Sequence, residues 1–345
     1  MSAGGTIPTQ SVRPHVFTFR ISVTYYVTLF LGVVAGPALR GAEAPAPAMA
    51  RPVEADELFQ AGQQLFDQIA PPEVKAQFQF PTKAQWDDFA LRFQRAREGD
   101  SLEELVACAP EARTALAALR LLSGYEDLAD WLEQRIDEIE GAQQAVVPAP
   151  VPRPLPPTRP GTVAPRSIAT VQPVPHYDLW LTRVRNRPVP ARAAALMPRL
   201  RAAFVAEGVP PELAWLAEAE SSLNPIARSP AGAKGLFQFM PDTAKAMGMS
   251  TFLPDDRTDP EKSAHAAARY LRTLHGRFGN WALALAAYNA GEGRVSRTLA
   301  KQGATSFTAI AADLPAETRM YVPKVCALIA TRAGVAPQQI APPRR

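Results

Sequence analysis

In the run Leu213-Ala214-Trp215-Leu216-Ala217-Glu218-Ala219-Glu220, two carboxylates stand among apolar residues. On a helix, Glu220 lies over Leu213, Leu216 and Ala217, at i−7, i−4 and i−3, which are the apolar-face positions. A carboxyl on that face loses hydration, which disfavours its anion and raises its pKa. A proton retained near neutral pH is what a general acid needs to protonate a leaving oxygen. Taken alone, such a glutamate could equally be bonded to a neighbouring backbone group or paired with an arginine. Glu218, two positions earlier and off that face, competes by position only.

Three later runs bear on the same chemistry. Residues 229–241 carry Gly232 and Gly235 in an otherwise apolar stretch that includes Ser229 and Gln238. Glycines there imply tightly bent backbone with no side chain between it and whatever lies alongside, a surface suited to a sugar chain. Ala287-Tyr288-Asn289-Ala290-Gly291 closes a helix with a phenol, an amide and a glycine turn. Glu317-Thr318-Arg319-Met320-Tyr321-Val322 opens another. Each run is weak by itself, since Asn-Ala-Gly at a helix end is usually only a cap. The four histidines, His15, His176, His265 and His275, have no ligand spacing, and there is neither a Gly-x-Ser-x-Gly elbow nor a phosphate-binding loop. No metal and no cofactor is expected.

The elements that must position these residues read as mainly α. Residues 53–143 form an acidic helical accessory domain. Trp86, Phe89 and Phe93 recur at helical spacing there, and Leu128, Trp131, Leu132, Ile136 and Ile139 stripe a helix expected to stop at Gly141. Residues 144–175 are a Pro-rich linker. Ten prolines between Pro148 and Pro175 exclude a helix or a sheet ladder and leave an extended spacer. Helical signals resume over 176–335. Pro210-Pro211 starts one helix, and Asp259-Pro260-Glu261 starts another that Gly276 would stop. Further helices follow from Trp281 and from Glu317. Residues 336–345 are expected to be a disordered tail.

Charge is segregated along the chain. Residues 51–143 hold 9 Lys/Arg against 19 Asp/Glu, whereas residues 144–345 hold 25 against 13. A basic half attracts an anionic polymer. Nucleic acid is disfavoured, because zinc-finger spacing, an RNA-binding aromatic signature and long blocks of like charge are all missing. Cys108 and Cys326 are too few and too far apart for a disulfide scaffold or a cysteine zinc site. They read as two buried thiols, with a bridge between segments as the alternative.

Residues 1–52 bear on compartment. Arg13, His15 and Arg20 precede an uncharged stretch of 19 residues closed by Arg40, and small-x-small sites follow at Ala42-Glu43-Ala44 and Ala46-Pro47-Ala48. This is the layout of a secretory signal followed by a tether, and the stretch is also nearly long enough to anchor in a membrane. Export to the periplasm is expected, with cleavage and retention in the inner membrane both open.

Glu220-Ser221 with Asn224-Pro225, the run 229–241, Ala287 to Gly291, and Glu317-Thr318 with Tyr321-Val322 together resemble the soluble lytic transglycosylases (SLT type). The stretch from Asp178 through Leu216 also looks like the membrane-bound type D members. The resemblance covers 210–333 and implies a lysozyme-like helical domain acting on the glycan strands of peptidoglycan. By that resemblance Glu220 is the catalytic acid/base. Ser229 and Gln238 line the cleft, Tyr288 faces the catalytic carboxyl, Asn289 contacts sugar, and Glu317 is a sugar-binding carboxylate. Leu223 departs from the family, in which an aromatic residue is common before Asn-Pro. The implied reaction is non-hydrolytic cleavage of the MurNAc-β-1,4-GlcNAc bond to 1,6-anhydro-MurNAc ends with a single glutamate. The alternatives are a hydrolytic muramidase using a second carboxylate such as Asp242 or Glu292, and a non-catalytic wall-binding or assembly protein. A cell-envelope protein docking on the acidic helices is the expected partner.

Overall fold

The computed structural model describes residues 82–120, 126–147 and 174–344, with a few positions between 60 and 72. The signal or anchor, its tether and most of the Pro-rich linker lie outside these residues. Among the described residues the chain is mainly helical, as expected. It has no strand, only two isolated bridges, Arg228 to Lys234 and Lys234 to Phe239.

Among the described residues, four helices occupy the acidic segment: α1 (Lys83–Glu98), α2 (Leu102–Ala107), α3 (Ala109–Leu119) and α4 (Glu126–Val146). Ser101 starts α2 by accepting the Glu104 N–H. Phe89 stacks on Phe93 at 5.8 Å between ring centroids, and Phe93 meets Trp131 of α4 edge-on at 6.4 Å. On α4 the apolar stripe buries Leu132, Ile136 and Ile139.

Helix α4 does not stop at Gly141 but runs on to Val146. Gly141 is there for a close approach: a Cβ at this position would lie 2.6 Å from Cζ2 of Trp180. Trp180 belongs to α5 (Tyr177–Val184), on the far side of the linker, and is 0% exposed.

After α5 come α6 (Ala193–Ala206), a 3-10 turn (Pro211–Trp215), α7 (Leu216–Ser221), α8 (Pro241–Ala246) and α9 (Pro260–Phe278). Then follow α10 (Trp281–Ala290), α11 (Glu292–Gln302), the short α12 (Phe307–Ile310) and α13 (Ala316–Ala333). The Asp259 carboxylate caps α9 by accepting from the N–H groups of Glu261 and Lys262, with Pro260 in the first position. That helix passes through Gly276, the expected stop, and ends at Gly279, where φ is +66°. The left-handed cap residue lies three positions later than expected.

Helix α13 is the axis of the molecule. Met320, Tyr321, Val322, Val325 and Ile329 are buried, and the helix packs on α5, α7 and α10 as well as on α1 and α4. One continuous apolar core therefore includes residues from both sides of the linker. Cys108 and Cys326 are free and buried, and burial pushes the Cys326 thiol up to about 12.

The tail is placed rather than disordered. Ile340 is buried, the Trp281 indole N–H donates to the Ala341 carbonyl at 2.9 Å, and the Arg344 N–H donates to the Gly208 carbonyl at 2.7 Å. An apolar anchor and two hydrogen bonds outweigh the polar, proline-rich character of that segment.

Gly141→Ala is expected to lower stability by about 1–3 kcal/mol through overpacking against Trp180. Gly276→Ala, where an added Cβ meets nothing within 4 Å, is expected to be neutral or stabilising. Urea unfolding of both variants checks the contrast, and equal shifts would contradict the close helix approach.

Candidate active site

Glu220 sits in the last turn of α7. Leu213, Leu216 and Ala217 are fully buried, and Glu220 itself is 9% exposed. The helix ends because Ser222 and Leu223 adopt φ of +51° and +60°. Their N–H groups donate back to the carbonyls of Glu218 and Ala217 at 3.0 and 3.2 Å. Two successive non-glycine residues in the left-handed region are strained, and the fully buried Leu223 side chain holds the turn in place. The departure at position 223 is thus a packing residue.

The surroundings of Glu220 set its proton affinity. Burial strips water from the carboxyl and raises its pKa from 4.5 to about 7. Against this, Tyr321 of α13 donates its hydroxyl to Glu220 Oε1 at 2.5 Å, and the Arg135 guanidinium of α4 also favours the anion. Glu138 and Glu317 push the other way. The competitor Glu218 points elsewhere, pairing with Arg332 at 2.7 Å. A carboxyl poised in this way can both donate and recover a proton near neutral pH.

The loop after α7 is built as a rigid wall. The Ser221 hydroxyl donates to the Leu236 carbonyl at 2.9 Å and lies 3.1 Å from that of Ala217. Ser229 Oγ accepts the Ala233 N–H at 3.0 Å, closing a turn. Gln238, at φ +47°, clips the loop by donating its amide to the carbonyls of Gly235 (2.9 Å) and Ala227 (3.3 Å). The buried Arg257 pairs with Asp255 and donates to the carbonyls of Gly232 and Phe239. What lies alongside Gly235 is the Arg257 carbonyl, 1.8 Å from where a Cβ would be, so this glycine serves the loop's own packing and not a sugar surface.

The other expected residues converge with different partners. Tyr288 donates to the Phe237 carbonyl at 2.8 Å, although the Glu220 charge, after burial, adds to the rise in its pKa. The phenol bonded to Glu220 is that of Tyr321. Asn289 accepts from the Thr318 hydroxyl at 2.6 Å and bonds Glu317. Glu317 is clamped by Arg97 of α1 at 2.7 Å and Arg135 at 3.0 Å. Burial works to raise its pKa, and the two guanidiniums hold it below the usual range.

The resemblance pointed to Tyr288 as the phenol facing Glu220, whereas Tyr321, which stood only within a quoted run, is the one bonded to it. Sequence reasoning missed Arg97 and Arg135 entirely. Both lie before the linker, and only tertiary packing brings them to the site.

Comparison with known proteins finds a likeness over part of this site. The family model for the transglycosylase SLT domain matches residues 201–310. That stretch is about a third of the chain. It includes Glu220, Ser229, Gln238, Tyr288 and Asn289, whereas Glu317, Tyr321 and both arginines lie outside it. Over 126 residues the chain is 40% identical to the membrane-bound lytic murein transglycosylase D of Escherichia coli, covering 35% of this chain and 27% of that protein. It is 39% identical over 120 residues to the soluble lytic murein transglycosylase of Salmonella typhimurium, covering 32% and 19% respectively. The crystal structure of the 70 kDa soluble lytic transglycosylase from Escherichia coli aligns at 19% identity with a TM-score of 0.39, covering 84% of this chain and 47% of that one. The chain spans about a quarter or less of the length of these curated relatives.

Because the Glu220 pKa is raised on folding, wild-type stability is expected to fall as pH rises from about 4.5 to about 7 and to level off above. Glu220→Gln removes that loss. Relative to wild type, the variant should gain up to about 3 kcal/mol between acidic and neutral pH, measured by urea unfolding. A difference that does not change with pH would contradict the buried, neutral carboxyl.

Proposed function

We propose that this chain is a peptidoglycan lytic transglycosylase that cleaves the MurNAc-β-1,4-GlcNAc bond without water and leaves 1,6-anhydro-MurNAc ends. The observation that carries the reading is a single buried carboxyl poised near neutrality, while every neighbouring carboxylate is committed to a cation. Glu220 protonates the glycosidic oxygen, and the substrate's N-acetyl group stabilises the oxocarbenium-like centre. The carboxylate that results takes the proton of the muramoyl 6-hydroxyl, which closes on C1. Ordinary hydrolysis calls for a second carboxylate, either beside a water or as nucleophile. Asp242 lies on the surface near Lys245 at 3.9 Å, and Glu292 pairs with Arg277 at 3.0 Å. Each thus faces a cation of its own, which supports the one-carboxyl route.

Glycan strands would run past the rigid loop carrying Ser229 and Gln238 and past Tyr288 and Asn289. Residues 176–335 are assigned to catalysis and 53–143 to an accessory helical unit that docks on them and offers an outer surface to a cell-envelope partner. Export by the N-terminal segment places the enzyme in the periplasm, free or anchored. No helix among the described residues is long and apolar enough to cross a membrane.

Full-length protein incubated with purified murein should release anhydro-muropeptides, identified by mass spectrometry. Glu220→Gln is expected to lower the rate by about 10²–10⁴-fold, the usual worth of a general acid/base. Reducing-end products would replace this reading with hydrolysis, and no release from any murein would replace it with a binding role.

A further inference from the structure

Helix α4 lies outside the stretch that matches the SLT model, yet it packs on α7, the helix of Glu220, and carries a buried arginine. Arg135 is nearly inaccessible. Its Nη1 lies 2.9 and 3.0 Å from the two oxygens of Glu138 and 3.0 Å from Glu317 Oε1. Arg97 of α1 holds the other oxygen of Glu317 at 2.7 Å, and Lys324 of α13 holds Glu138 at 3.2 Å and Asp137 at 3.4 Å. The Trp131 ring packs under both guanidiniums, 5.3 Å from Arg97 and 5.9 Å from Arg135. The arginines are thus fixed by an aromatic face and by carboxylates together.

A buried ion network of this extent is expensive to assemble and often adds nothing to stability over apolar packing. Helix α4 packs on α7, the helix of Glu220, and Glu317 lies one turn before the Tyr321 that is bonded to Glu220, which gives the network another use. When Glu220 releases its proton, a carboxylate appears in a site stripped of water, and a fixed cation facing it lowers the energy of that state. We propose that Arg135 is a positioning residue of the acid/base centre: it fixes Glu317 and Glu138 beside Glu220 and supplies the cation that faces the carboxylate formed when the proton leaves.

The inference rests on the transglycosylase reading for its chemistry, though not for its geometry. The charged and titratable groups acting on Glu220 are Arg135 and Glu138 from α4, and Tyr321 and Glu317 from α13. Tyr288 of α10 responds to the Glu220 charge, and Glu218, on the same helix as Glu220, is turned to Arg332. Of these, Arg135 is the cation. The segment before the linker would then be part of the active site and not an appendage of it.

The test is made on the full chain with Arg135→Gln, Arg135→Lys and Glu317→Gln, using two readouts. The first is the pH profile of kcat/KM on purified murein. The second is the Glu220 titration midpoint by carbon-13 NMR, assigned against Glu220→Gln. Arg135→Gln is expected to move the basic limb and the midpoint up by about one pH unit and to lower kcat. Arg135→Lys should return both to near wild type. Glu317→Gln keeps the guanidiniums, removes an opposing charge and should move both downward. If Arg135→Gln does not fold, the other two variants still decide. Unmoved midpoints, or Arg135→Lys displaced as far as Arg135→Gln, would overturn the proposal. Should wild type fail to cleave murein, the functional reading falls, while the NMR titration still judges Arg135.

Discussion

The desolvation of one carboxyl is the constraint on which the rest of the site depends. Glu220 is buried where α7 meets α13 and α4, and the loss of water is the largest influence on its proton. Burial alone would make it a weak acid with no easy route to the anion. The Tyr321 hydroxyl and the Arg135 guanidinium pull back part of that shift, and the outcome near 7 is a balance of large opposing effects. Such a balance survives only if its members cannot move. The left-handed turn at Ser222 and Leu223, the loop clipped by Gln238 and Arg257, and the ion cluster around Glu317 each remove a freedom that would let the carboxyl relax toward water.

The helices on the two sides of the linker share this task. Gly141 lets α4 approach Trp180, and the same helix presents Arg135, Glu138 and Asp137 to α13 and its neighbours. Asp137 is held well below the usual carboxylate range. Burial opposes this, and Lys324, Arg187 and Arg183 outweigh the burial. The acidic character of this segment is in part spent on buried pairing with the basic half.

What the sequence disclosed was local. Helical spacing placed Glu220 over Leu216 and Ala217, and the Asp259-Pro260 start and the stripe on α4 followed from capping and periodicity. Whatever depended on a distant partner was hidden. Gly141 looked like a stop because its reason is an indole across the linker, and Gly276 looked like a cap because the left-handed residue is Gly279. Tyr288 and Tyr321 are equal as phenols in sequence, and only the packing of α13 on α7 puts the second one on Glu220. Glu317 carried no sign of its two arginines, which come from helices before the linker. The resemblance of the four runs to known transglycosylases pointed to the candidate site, and the structure supplied the partners.

The central claim is that Glu220 is a neutral acid at working pH. Infrared difference spectroscopy of wild type minus Glu220→Gln addresses it without substrate. At about pH 6 the spectrum should contain the C=O stretch of a protonated carboxylic acid, which should give way to carboxylate bands above about pH 8. Carboxylate bands alone at about pH 6 would mean that the carboxyl is ionised like any exposed glutamate, and would contradict the account.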